Sequence, residues 1–354
     1  MSNVTAKPIV IYGATGYTGR LVAQYMHKKY GVGGPVNWAM AGRSLDKLQS
    51  VRDELGIPES VTLVTADASD TVSLGNMVEL ASVIITTVGP YQLYGNELVA
   101  ACAAAGTDYV DLCGEPTWMH EMIAAHGEAA KASGARIVFS CGFDSIPFDL
   151  GVLHLQNAMQ KSCGKPASRV RGRVRAMAGT WSGGTLASAR ATMAAAGEKP
   201  ELINVLMNPF SLADGFQGPE QPDGNKPCYD EVVNSWVAPF MMAVINTKNI
   251  HRSNALLGHA YGEDFQYDEM MMTGDGDKGE AMAKAVASDD SMNTDTTAPG
   301  EGPSQAEREA GFYDLLFIGE TGDGESLCTN VKGDMDPGYG STSKMIAEAA
   351  ICLA

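Results

Sequence analysis

The sequence predicts an α/β protein: a doubly wound Rossmann sheet of parallel strands followed by a second, α+β domain built on a mixed sheet. Three observations carry that expectation. An apolar, β-prone run at 9–12 leads into the glycine turn Gly13-Ala14-Thr15-Gly16-Tyr17-Thr18-Gly19, and a helical period follows over 21–29. Strand-like and helix-like segments then alternate to about residue 150, the pattern of parallel strands joined by crossover helices. Beyond about residue 170 the segments become longer and less regular.

The first strand, turn and helix make a dinucleotide-binding start. A glycine-rich turn brings backbone N–H groups and the positive end of a helix against a pyrophosphate, which assigns Gly13, Thr15, Gly16, Tyr17 and Thr18 to that group. The spacing is GxxGxxG and gains its meaning from lying between a strand and an amphipathic helix. A second strand at 36–41 is followed by Gly42-Arg43-Ser44, where NAD-binding proteins place an acidic residue for the adenosine ribose. Arg43 and Ser44 suit a 2'-phosphate instead, so NADP(H) is the expected cofactor. Asp46 belongs in the first turn of a helix capped by Ser44.

Further strands are expected at 61–65, 82–88, 108–112 and 136–141, giving strand order 3-2-1-4-5-6 with helices over 45–54, 72–80, 98–105 and 119–133. The second domain, residues 151–341, has a strand at 170–176, a helix at 185–196, an apolar stretch at 232–245 and late strands at 312–319 and 325–333. Residues 214–226 and 288–302 have loop composition. The apolar helix 342–354 either packs back on the first domain, residues 1–150, or precedes a missing C-terminal piece. A homodimer through the second domain is a further expectation.

Composition narrows the partners. The 354 residues carry 25 basic and 42 acidic side chains, a net charge of -17 that argues against nucleic acid or an anionic membrane. Seven scattered cysteines without a CxxC pair fit reduced thiols in a cytoplasmic protein, with no metal site. The N-terminus lacks a signal-peptide layout, and the apolar run 236–245 is too short for a transmembrane segment.

Ligands of such a sheet lie beyond the carboxyl ends of the strands. After the third strand comes Asp67, either an adenine ligand or a helix cap. After the fourth come Val88, Gly89 and Pro90, on the nicotinamide side, with Tyr91 and Tyr94 close behind. Tyr91, Tyr94, Asp144 and Glu115 are candidate proton donors. Ser182-Gly183-Gly184-Thr185 opens the helix at 185–196 and reads either as a substrate site at a helix terminus or as a capped helix start. Met241, Met242 and Met270–Met272 suit a greasy ligand or plain core filling. Asp275 and Asp277 lack the rest of an EF-hand loop.

Taken together, the segments 12–19, 41–44, 87–91, 106–109 and 141–147 resemble the saccharopine dehydrogenase-like oxidoreductases, with the likeness strongest toward the trans-acting enoyl reductase branch. Segments 182–185, 236–240, 252–258 and 336–339 extend the resemblance over nearly the whole chain. It implies an NADP-binding first domain, a mixed-sheet second domain and reductase activity on a C=C, C=O or C=N bond, most simply the C=C bond of an acyl or enoyl lipid-type substrate. Two other readings stay open: reduction of an amino-acid-derived imine, with Arg171, Arg173, Arg175 and Arg190 available to hold carboxylates, and an NADP(H)-binding redox sensor without turnover.

Overall fold

The computed structural model describes residues 7–180, 182–199, 201–298 and 300–354; Trp181 and the first six residues of the N-terminal segment discussed above lie outside them. Strands β1 (Ile9–Tyr12), β2 (Trp38–Gly42), β3 (Thr62–Thr65), β4 (Val83–Thr86), β5 (Asp108–Val110) and β6 (Ile137–Val138) form one parallel sheet in the order 3-2-1-4-5-6. Every residue of β1, β2 and β4 is buried, as expected of parallel strands covered by helices on both faces. One face packs on Leu74, Met77, Leu98 and Trp118, the other on Val22, Met26, Leu48 and Ile346.

Ile346 belongs to the C-terminal helix Thr342–Leu353, which lies against the helix Tyr17–Tyr30. The Glu348 carboxylate fastens the pair, accepting from the Tyr25 hydroxyl at 2.6 Å, the Tyr30 hydroxyl at 2.8 Å and Lys29 Nζ at 2.7 Å. This end of the chain therefore buttresses the helix that opens at the glycine turn.

The second sheet has β7 (Arg169–Ala178), β8 (Cys228–Asp230), β9 (Ser235–Pro239), β10 (Gln266–Gly274), β11 (Phe312–Glu320) and β12 (Ser326–Gly333), in the order 12-11-7-10-9-8. Only β7 and β10 run parallel; the other neighbours are antiparallel. One face packs on the helix Ile146–Cys163 through Phe148, Val152, Leu155, Val174, Leu315 and Phe317. The apolar stretch at 232–245 divides into β9, a turn and the start of the helix Ala243–Leu256. The Gly274–Gly279 segment is a helix start, with the Asp275 carboxylate accepting from the Gly276 N–H at 2.6 Å. Among the described residues, no helix is long and apolar enough to cross a membrane.

Candidate active site

The glycine turn follows β1 directly, and its geometry depends on glycine at two places. Gly13 has φ +89°, and a Cβ there would lie 2.7 Å from Thr87 Oγ1; a Cβ on Gly19 would lie 2.1 Å from the Gly13 carbonyl oxygen. The helix Tyr17–Tyr30 thus presses its first turn onto the strand end. No side chain caps it at Gly16, so its N-terminal N–H groups remain open to an anion. Gly16, Tyr17 and Thr18 line a cavity of about 440 Å³.

That cavity lies where the carboxyl ends of β1, β4 and β5 meet the helix Gly183–Glu198 and the turn Pro337–Ser341. Gly89, joined to Pro90 by a cis peptide, faces the helix across the gap: a Cβ on Gly89 would be 3.5 Å from Ser188 Oγ. Much of the remaining wall is greasy, with Phe143, Met177, Phe240, Met242, Ile245 and Met292. Met241 and Val244 line it too and are half exposed.

The candidate proton donors separate sharply. Tyr91 is buried beside the cavity, but its hydroxyl is committed, donating to the Thr86 carbonyl at 3.3 Å and accepting from the Leu112 N–H at 3.1 Å. Burial pushes its pKa well above the ordinary tyrosine value. Tyr94 is 48% exposed and lies off the cavity wall. Glu115 caps the short helix Tyr91–Tyr94, accepting from the N–H groups of Tyr91 at 2.9 Å and Gln92 at 3.0 Å. Asp144 is different. It lines the cavity half-buried, and desolvation raises its carboxyl to about 7.

Arg43 is exposed just past β2 and forms no ion pair among the described residues. Ser44 accepts from the Lys47 N–H at 3.3 Å, which leaves its hydroxyl proton free to donate. Asp67 stands close enough for Arg43 to help lower its pKa, after the stronger effect of hydrogen bonds from the Ser69 N–H and hydroxyl, at 2.9 and 2.8 Å. The following helix is capped by Asp70, which accepts from the Val72 N–H at 3.0 Å. Val88 packs against the core beneath the cradle.

Ser182, Gly184 and Thr185 line the cavity, while the Gly183 N–H donates to the Glu301 carbonyl at 3.2 Å. Ser182 also caps its helix, accepting from the Thr185 N–H at 3.5 Å. A residue outside the sequence-derived set completes the wall: Tyr339 accepts from the Ser182 N–H, and its hydroxyl lies 2.7 Å from Thr185 Oγ1. Buried Asp336 holds Tyr339 in place, accepting from the N–H groups of Tyr339 at 2.9 Å and Gly340 at 2.7 Å. The only signal for it in the sequence was the 336–339 segment.

The arginines of β7 are all engaged by the protein itself. Arg169 pairs with Asp268, Arg171 with Glu320 at 2.6 Å, Arg173 with Asp230 and Asp268 at 2.8 Å, and Arg175 with Asp314 at 2.6 Å. Arg190 donates to the Asp295 carbonyl, and none of these arginines lines the cavity.

Residues 9–138 match the family model described as the saccharopine dehydrogenase NADP binding domain. A trans-acting enoyl reductase of Mycobacterium ulcerans (strain Agy99) is 35% identical over a 374-residue alignment covering 98% of this chain and 88% of the relative. A Mycobacterium tuberculosis (strain H37Rv) protein with the provisional name trans-acting enoyl reductase is 38% identical over 381 aligned residues, 99% of this chain and 90% of the relative. The chain belongs to the saccharopine dehydrogenase-like family, in its trans-acting enoyl reductase branch. It is an oxidoreductase with a nicotinamide-dinucleotide domain. The amine dehydrogenase of Mycobacterium smegmatis shares the fold of this saccharopine dehydrogenase-like chain, with a TM-score of 0.50 at 16% identity, covering 99% of this chain and 93% of that one.

Buried carboxyls in this family member also set its pH response. Asp111 and Asp144 are raised to about 7 and Glu269 to about 8, chiefly by desolvation, so the folded state keeps protons that the unfolded chain has released. Stability from these groups is lost as pH rises through their folded-state values. His251, pushed down to about 3 by burial, acts with the opposite sign only below its ordinary value of about 6.5. Melting temperature should therefore fall between about pH 6.5 and 8 in a thermal scan; a flat or rising curve would contradict these assignments.

Proposed function

We infer that this chain uses NADPH to reduce the carbon–carbon double bond of an acyl-type enoyl substrate held in the cavity, and that it does so in the cytoplasm. The observation that carries this reading is the wall chemistry. Apolar side chains share the wall with uncharged hydroxyls and a single carboxyl, Asp144, and no lysine, arginine or histidine lines the cavity among the described residues. A neutral, greasy substrate suits such walls, and the relatives named trans-acting enoyl reductase support the same class. An amino-acid-derived imine would need cations to hold its carboxylates, and the second-domain arginines are already engaged.

The glycine turn fits a dinucleotide, because the uncapped helix start leaves N–H donors for a pyrophosphate beside the cavity that Gly16, Tyr17 and Thr18 line. Gly13, Thr15, Gly16, Tyr17 and Thr18 would hold that group, Arg43 and Ser44 the 2'-phosphate, Asp67 the adenine side, and Val88, Gly89 and Pro90 the nicotinamide side. When bound, the reduced nicotinamide supplies a hydride to the β-carbon of the alkene.

The rest is the task of the protein. Phe143, Phe240 and the methionines exclude water and orient the acyl group. Asp144 keeps a proton on its carboxyl near neutral pH and delivers it to the α-carbon, where negative charge develops. One hydride and one proton saturate the bond, and the Asp144 carboxylate takes a new proton from water. Tyr339 and Ser182 hold the start of the helix Gly183–Glu198 against the substrate space. Free cysteines, three of them buried, suit a reducing compartment.

Isotope labelling tests this division of labour. Reduction of an enoyl-thioester in deuterated water should place solvent deuterium on the α-carbon, and NADPH deuterated at the transferable position should label the β-carbon. Solvent label on the β-carbon would refute the assignment.

A further inference from the structure

The cavity is bordered by a short segment whose bonds reach both halves of the site. Residues 300–304 come after the short helix Ser291–Thr294 that carries Met292, and both Gly300 and Met292 line the cavity. On one side the Glu301 carbonyl accepts from the Gly183 N–H, at the start of the helix Gly183–Glu198. On the other side the Pro303 carbonyl accepts from the Tyr17 hydroxyl and from Arg308 Nη1, the latter at 2.6 Å. Arg308 also donates to the Tyr17 hydroxyl at 3.0 Å. Gly302 lies flat on the Tyr17 ring: a Cβ there would come within 2.6 Å of it. That ring also meets Tyr339 edge-on, with centroids 5.2 Å apart and planes at 80°.

We propose that the Tyr17 side chain is the latch of a gate, residues 300–304, that closes the substrate cavity against the cofactor cradle. This rests on reading the cavity as the substrate site. Tyr17 contributes its backbone to the first turn of the cradle helix and its phenol to the gate, so the two functions meet in one residue. The ties from the gate to Tyr17 and to the 183–198 helix are hydrogen bonds to its carbonyl oxygens, and Gly300, Glu301 and Ser304 are exposed. Pro303 is the one buried residue of the segment, and a short segment held by a few backbone bonds opens at lower free energy than a strand or helix of the core. Gly300, at φ +94°, supplies a pivot at one end, and the Ser304–Glu307 capping box fixes the other. Closing the gate brings Met292 and Gly300 over the substrate; opening it clears a path without disturbing either sheet.

The test is cleavage after Glu301 by a glutamate-specific protease, followed by mass spectrometry of full-length protein. Tyr17→Phe keeps the ring and deletes the hydrogen bond, so cleavage should be about fivefold faster than in wild type. NADPH should slow cleavage in wild type and slow it less in the variant. Gly302→Ala, which lifts the gate off the ring, should raise KM for an enoyl-thioester about fivefold or more with a smaller change in kcat, while the NADPH dissociation constant stays within about twofold. Equal cleavage in wild type and Tyr17→Phe, or a Gly302→Ala effect confined to kcat, overturns the gate. Failure of wild type to bind NADPH would instead overturn the cofactor reading, and the protease comparison would still decide the latch.

Discussion

Replacing Asp144 with Asn should lower kcat for enoyl reduction by about 10²–10⁴-fold, the usual contribution of a positioned general acid. The change is nearly isosteric and removes the only carboxyl on the described cavity wall. The wild-type rate should decline as pH rises through about 7, where Asp144 loses its proton, and the variant should lack that limb. NADPH should still bind, because the proposed ligands are the glycine turn and Arg43. Stability gives an independent sign. Above pH 7 the wild-type protein buries a charge that Asn does not carry, so the variant should melt higher than wild type at pH 8. A variant with wild-type kcat and an unchanged pH profile would remove Asp144 from the chemistry.

Arg43→Ala should weaken NADPH binding by about 10–100-fold, the loss expected for a charge-assisted hydrogen bond to phosphate. NADH, lacking the 2'-phosphate, should bind the variant and wild type alike within a small factor. Arg43 is exposed and makes no ion pair among the described residues, and its interaction with Asp67 is electrostatic only, so the substitution should leave the fold intact. Titration with both nucleotides measures the ratio; equal losses would show that Arg43 does not read the phosphate.

The first sheet was legible because its signals are local. A buried strand, a turn that admits only glycine at Gly13, and a helix start follow one another within residues 9–30, and β2 and β4 read as short apolar runs. The second sheet was harder for a physical reason. Strand β10 contains Asp268 and Glu269, which look like surface residues until Arg169 and Arg173 from β7, and Asn246 from the helix Ala243–Leu256, supply their partners. That pairing is non-local, so no window of sequence reveals it.

The site divides in the same way. The glycine turn and Arg43 follow strands directly and could be singled out from strand ends, whereas Asp144 lies six residues beyond β6, in a turn expected at the end of a longer strand. Tyr339, in the turn Pro337–Ser341, and Arg308, in the helix Gln305–Ala310, are distant in sequence, and only the folded chain brings them to Tyr17. The proton-donor candidates could not be ranked from sequence because what separates Tyr91 and Glu115 from Asp144, their occupied hydrogen bonds and their place relative to the cavity wall, exists only in the folded chain.

The most direct test of the central claim follows nicotinamide absorbance while wild-type protein and NADPH meet a panel of enoyl-thioesters, ketones and amino-acid-derived imines. The account requires NADPH oxidation with enoyl-thioesters, stoichiometric with the saturated product. Oxidation with imines alone, or tight NADPH binding without turnover on any member of the panel, would contradict it.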